Sequence, residues 1–129
     1  MTTWTSDELN KIGKAEELDI ASLRRDGTLR DPVTIWVVRH GNDFFVRAVK
    51  GRTGPWLRGT QTRHEGRIQA GGVERDVAFV QVLDPELNRQ IDAAYRTKYC
   101  RYAANIVGSV ITPEARAATL KLVPHTTGA

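Results

Sequence analysis

One cysteine, Cys100, cannot close an intrachain disulfide, and no second Cys or nearby His accompanies it to suggest a metal site. A core without cross-links has to be held by packing. No run of about 18 apolar residues could span a bilayer, and no basic-then-apolar leader opens the chain. The expectation is a cytoplasmic protein with no membrane partner. Aromatic residues are few, and they do not alternate with basic ones as on a base-stacking platform, which argues against a nucleic-acid module. A Walker loop, a dinucleotide-binding glycine fingerprint and a nucleophile-elbow serine are also missing. His64-Glu65 begins a metalloprotease-like signature, but Ile68 stands where the second His is needed, so no metal is expected.

What is present is 129 residues with 40% hydrophobic content, enough for one real core and too little for two. Residues 1–129 are read as a single domain. The positive charge is local: residues 23–67 hold ten Lys/Arg against four Asp/Glu, whereas the remainder is slightly acidic. Its densest part is VKGRTGPWLRGTQTRH, residues 49–64, with Lys50, Arg52, Arg58, Arg63 and His64 and no acid.

Thr5 and Glu8 have the spacing of a capping box, with Trp4 and Leu9 placed as a hydrophobic staple, so a helix is expected over about residues 6–17. Barrel strands should occupy 18–82. LDIAS is followed by Asp26-Gly27, a two-residue hairpin signal, then by the β-branched run PVTIWVVRH and by DFFVRAV, which alternates Phe45, Arg47 and Val49 against Phe44, Val46 and Ala48. These segments predict a three-stranded meander. Pro55 can open a short helix, and two further strands flank Gly71-Gly72. Asp84 caps and Pro85 opens a helix over 84–100, while 112–125 reads as a short helix capped by Thr112 and a sixth strand. The fold class is mainly β: a six-stranded antiparallel barrel with flanking helices, since closure removes exposed edges.

In a meander, the turn after the first strand and the end of the third lie at the same end of the sheet. Arg24, Arg25 and Arg30 would then meet Lys50 and Arg52. Glycines let backbone N–H groups approach an anion, and Arg offers the fork that phosphate prefers. Trp36, Trp56 and the tyrosines offer flat surfaces for a conjugated ring. Phosphate plus planar ring describes a flavin-type cofactor. Tyr95, Tyr99 and Tyr102 fall near one helix face, either as amphipathic packing or as a row of hydroxyls lining a pocket. Solvated surface charge is the other reading of the arginines.

These segments, IASLRRDGTLRDPVTIWVV followed by FFVRAVKGRTGPWLRG, resemble the split β-barrel flavoproteins, especially the deazaflavin-dependent nitroreductase-like branch. The whole pattern, from WTSDEL through GRTGPW to TPEARAATL, is most similar to the uncharacterised DUF2255 family of bacterial proteins. The first resemblance implies a six-stranded split barrel that binds FMN or a deazaflavin coenzyme and passes a hydride to a small organic substrate, commonly as a homodimer. It implies cofactor contacts at Arg25, Gly27, Arg30, Thr34, Trp36, Lys50, Gly51, Arg52, Thr53, Gly54 and Trp56. Substrate contacts fall on Tyr95, Tyr99 and Tyr102. No residue is assigned a catalytic proton transfer. Arg24, Asp26 and Thr28 depart from the hairpin pattern, and an acid at 26 repels an anion. A barrel without a flavin, binding a small anionic ligand or a protein partner, is the alternative.

Overall fold

The computed structural model describes residues 3–48 and 55–124, with the side chains at 55, 56 and 62 outside the description. In chain order the elements are α1 (Ser6–Lys14), β1 (Leu18–Ser22), β2 (Val33–Ile35), β3 (Val38–His40), β4 (Asp43–Arg47), α2 (Pro55–Arg63), β5 (Glu65–Ala70), β6 (Val73–Gln81), α3 (Pro85–Lys98), α4 (Ala104–Gly108), α5 (Pro113–Ala117) and β7 (Thr119–Pro124). Among the described residues seven strands form one antiparallel sheet in the order β2-β1-β5-β6-β7-β4-β3.

That order requires curvature. The two edges of a flat seven-stranded sheet would stand about 29 Å apart at the usual strand spacing. Here the edge strands β2 and β3 are separated in the chain only by Trp36 and Val37. Three Cα–Cα steps reach about 11 Å. The sheet therefore curls into a half-barrel.

One strand was expected over PVTIWVVRH, and the structure divides it into β2 and β3, so the strand count is seven rather than six. The division also corrects the meander, because β2 pairs with β1 while β3 pairs with β4 on the opposite edge. Its cause lies on α3. The Val37 N–H donates to the Tyr99 hydroxyl at 3.2 Å, and the Val37 carbonyl accepts from Lys98 Nζ at 2.7 Å. Side chains of a distant helix thus take the backbone groups that a neighbouring strand would otherwise use.

Local signals otherwise act where they stand. Thr5 and Glu8 close the capping box, Asp84 caps α3 through the Glu86 N–H, and Thr112 caps α5 through that of Ala115. Gly71 and Gly72, both at positive φ, turn β5 into β6. The first helix ends at Lys14, earlier than expected. The expected two-residue turn is a longer one: Arg24 and Thr28 are bonded across residues 25–27, and Gly27 takes φ +89°. A three-residue loop with glycine in the left-handed region results.

Alternation along β4 divides the core. Phe44 and Val46 join Leu9, Ile12, Ile20 and Ile68 inside the barrel, while Phe45 packs outward with Val38 against Ile91, Tyr95 and Tyr99 of α3 and its C-cap. Trp4 enters the first cluster and donates its indole N–H to the Leu122 carbonyl at 3.2 Å. Arg47 also faces α3 and is fully buried. Its guanidinium pairs with Asp92 and donates to the Val110 and Asn88 carbonyls, the Asn88 side-chain oxygen and the Thr119 hydroxyl, using all five donors. Arg116 takes the second Asp92 oxygen at 2.9 Å. A buried charge pair is tolerated when every donor is satisfied in this way.

Candidate functional site

A close approach made possible by glycine joins the basic hairpin to α2. A Cβ at Gly59 would lie 2.6 Å from Ser22 Oγ and 3.0 Å from Arg30 Nε, so any larger residue would push the helix off β1. On the same side, the Arg63 guanidinium lies 3.4 Å from where a Gly27 Cβ would stand. The hairpin and the helix therefore present one basic surface. Residues 50–54 and the Trp56 side chain, the other expected members of this site, lie outside the described residues.

The arginines of this surface are uncommitted. Elsewhere Arg47, Arg67, Arg75, Arg89, Arg101 and Arg116 each pair with a carboxylate. Among the described residues, the side chains of Arg25, Arg30, Arg58 and Arg63 make no ion pair or hydrogen bond with one another or with an acid. Arg30 Nε is buried without a partner. A guanidinium donor held out of water with nothing to accept its proton suits an incoming anion.

Arg24 and Asp26 serve the turn instead. Arg24 donates to the Leu29 carbonyl at 2.9 Å, and Asp26 Oδ1 accepts from the Thr28 N–H at 3.0 Å and the Thr28 hydroxyl at 2.7 Å. These bonds, with the charge of Arg24, hold the Asp26 carboxyl below its ordinary pKa. The acid that departs from the split-barrel pattern is thus tied into its own loop.

On the other flank of α2 lies a cavity of about 300 Å³, lined by Leu57, Thr60, Gln61, His64, Phe79, Gln81 and residues 117–120. Leu57, after the glycine-rich segment, lines the cavity, while Ala48, before it, bonds through its N–H to the carbonyl of Ala118, another lining residue. Among the described residues His64 is its one titratable lining group. It closes α2 in the left-handed region at φ +58°, with its N–H on the Thr60 carbonyl. Sequence reasoning assigned no binding role to Thr60, Gln61, His64, Phe79 or Gln81, since only the packing of α2 against β6 and β7 assembles them.

The remaining expected residues are elsewhere. The Thr34 hydroxyl donates to Asp19 Oδ1 at 2.6 Å across the β1–β2 pair. Trp36 stacks on Tyr99 with centroids 3.9 Å apart and also meets Tyr102. Tyr95 and Tyr99 are both fully buried, which is the amphipathic-packing reading of that row. Burial pushes the Tyr99 phenol up to about 12 and that of Tyr95 further still.

Residues 8–122 match the sequence profile of a family described as an uncharacterized protein conserved in bacteria. No curated protein sequence matches the chain. Among solved structures, the heme storage protein HutZ from Vibrio cholerae superposes with a TM-score of 0.68 at 15% identity, covering 94% of this chain and 90% of that one. An F420 reductase gives 0.58 at 12% identity, covering 92% and 93%. A FAD-binding protein from Mesorhizobium loti gives 0.58 at 14%, covering 96% and 92%. At these identities the likeness is one of fold.

Proposed function

This chain belongs to the DUF2255 family of uncharacterized proteins conserved in bacteria, and from its split-barrel fold and its basic hairpin–α2 surface we propose that it binds a flavin-type cofactor. The observation that carries this reading is Arg30 Nε, buried without a partner among the described residues where the hairpin meets α2, with Arg63 beside Gly27 of the same hairpin.

Arg30 and Arg63 would hold the phosphate as forked donors, with Arg25 and Arg58 adding charge at the rim. Residues 50–54 would complete that contact from the glycine-rich segment. The cavity beside α2 has the volume of a small ligand site, and Phe79 gives it an aromatic wall. Thr60, Gln61 and Gln81 would orient the ligand there, and His64 is placed to carry a proton. When bound, FMN or a deazaflavin coenzyme would supply hydride transfer to a small organic acceptor.

The second reading, a barrel that binds another small anion, rests on the same unpartnered Arg30 Nε, which would donate to any oxyanion that fits. Fluorescence titration with FMN and with the deazaflavin coenzyme separates the two. Saturable binding weakened about 10–100-fold by Arg30→Ala and by Arg63→Ala supports the first, that being the loss of one hydrogen bond to a charged group. Arg96→Ala, on the exposed face of α3, should change nothing. Binding of neither cofactor rejects the flavin reading and favours the second.

A further inference from the structure

A second concavity, of about 490 Å³, lies far along the sheet from the hairpin, between Gly13 of α1, β3 and the outer face of α3. Its polar lining is Arg39, His40, Gln90, Thr97 and Lys98. Among the described residues no carboxylate lines it. Lys98 is half-buried, donates one N–H to the Val37 carbonyl at 2.7 Å and lies 5.3 Å from the centroid of the Tyr99 ring. It has no ion pair among the described residues, whereas exposed Lys11 is paired with Asp7.

The geometry points to Lys98 as a covalent site for small 2-oxo acids, with its amine as the nucleophile and Arg39 and His40 as partners for the carboxylate. An ammonium in this position lacks an acid to offset its desolvation. Burial accordingly lowers Lys98 from 10.5 to about 8. About a tenth of its amines are then neutral at pH 7, more than a hundredfold above an ordinary lysine. A neutral amine can keep one N–H on the Val37 carbonyl and still present its lone pair to the cleft. The charged or titratable groups lining the cleft are Arg39 and His40 from β3, while Gly13 of α1 and Gln90 and Thr97 of α3 are neutral. Glu16 is engaged by Arg101, and Glu17 acts on Tyr99.

The chemistry needs no further reagent. The Nζ lone pair forms a bond to the carbonyl carbon, a proton passes from nitrogen to oxygen, and the resulting carbinolamine loses water to give the imine. Arg39 is available for the carboxylate because, among the described residues, its guanidinium is engaged only through Nε, which donates to the Gly41 carbonyl at 2.8 Å.

The test uses the full chain with glyoxylate and sodium cyanoborohydride, which delivers hydride to the imine carbon and fixes the adduct as a secondary amine for peptide mass mapping. The expected result is an adduct on Lys98 exceeding that on Lys11, Lys14 or Lys121 by about tenfold, rising with a midpoint near pH 8. Arg39→Ala should raise the glyoxylate concentration required and leave labelling by formaldehyde unchanged. Labelling spread evenly over the exposed lysines overturns the proposal. An equal response of both aldehydes to Arg39→Ala overturns the carboxylate subsite. Lys98→Arg, read by circular dichroism alongside, verifies the adduct assignment in a folded protein.

Discussion

Replacing Tyr95 and Tyr99 separately by phenylalanine should give opposite results, although both rings are fully buried one turn apart on α3. At Tyr99 the hydroxyl accepts the Val37 N–H at 3.2 Å and donates to the Glu16 carbonyl at 2.7 Å. Its loss orphans the amide of a residue with no solvent exposure. An unsatisfied buried donor costs about 1–3 kcal/mol, and the rehydrated Glu16 carbonyl loses about 1 more. We expect Tyr99→Phe to cost about 2–4 kcal/mol. Among the described residues the Tyr95 hydroxyl is buried with no hydrogen bond of full geometry, only an approach to the Arg47 backbone, so removing it relieves a poorly satisfied polar group. Tyr95→Phe should be neutral or stabilising by up to about 1 kcal/mol. For a chain of this length, 1 kcal/mol moves Tm by about 4 °C, so the variants should differ by roughly 8–20 °C. Urea unfolding followed by circular dichroism gives the free energies directly. Equal losses at both positions, or no loss at Tyr99, would refute the account of the β2–β3 break. A change in ligand affinity without a change in stability would favour the hydroxyl-row reading.

Asp92→Asn leaves the buried Arg47 charge unpaired and should cost about 3–5 kcal/mol in the same unfolding assay. Removing both charges should remain unfavourable, because Asn88, Thr119 and Val110 also lose their donor. Gly66→Ala would set a Cβ 2.1 Å from the Ala21 carbonyl oxygen, a backbone atom on the paired strand, and should cost more than about 3 kcal/mol; the open turn at Gly41 should cost only about 1 for its positive φ. Stability should rise from pH 8 to about 10: Lys98 titrates near 8 in the fold and 10.5 unfolded, so the unfolded chain binds the extra proton in that window. Lys98→Met should flatten the rise. Above about pH 10 the trend reverses, because the buried tyrosines keep their protons while the unfolded ones release theirs.

Elements whose causes are local were legible in the sequence. Thr5 with Glu8, Asp84 with Pro85, Thr112 with Pro113, and Gly71-Gly72 each act within a few residues of the helix end or turn that they create. The break at Trp36-Val37 was not legible, because it is imposed by Lys98 and Tyr99, about sixty residues away. PVTIWVVRH has the composition of one continuous strand, and nothing within it announces a corner. The site divides similarly. The basic hairpin and Gly27 could be read from residue type, and the structure brings Arg30 and Gly27 against α2. That Gly59 permits the approach, and that His64 and Gln81 line a common cavity, follows from tertiary packing alone. The tyrosine spacing specified a shared face and left open whether that face was wet.

The position of β7 affects how the chain can be made. It is the last described strand in sequence, yet it lies between β6 and β4 near the middle of the sheet. Until Thr119–Pro124 has emerged from the ribosome, the β3–β4 hairpin has no partner on its inner edge, and β6 has none on its outer edge. Until then the nascent chain carries two open edges. Sheet completion therefore waits on β7, and the unpaired flanks of β4 and β6 are where a holding chaperone, or a second nascent copy, would engage it.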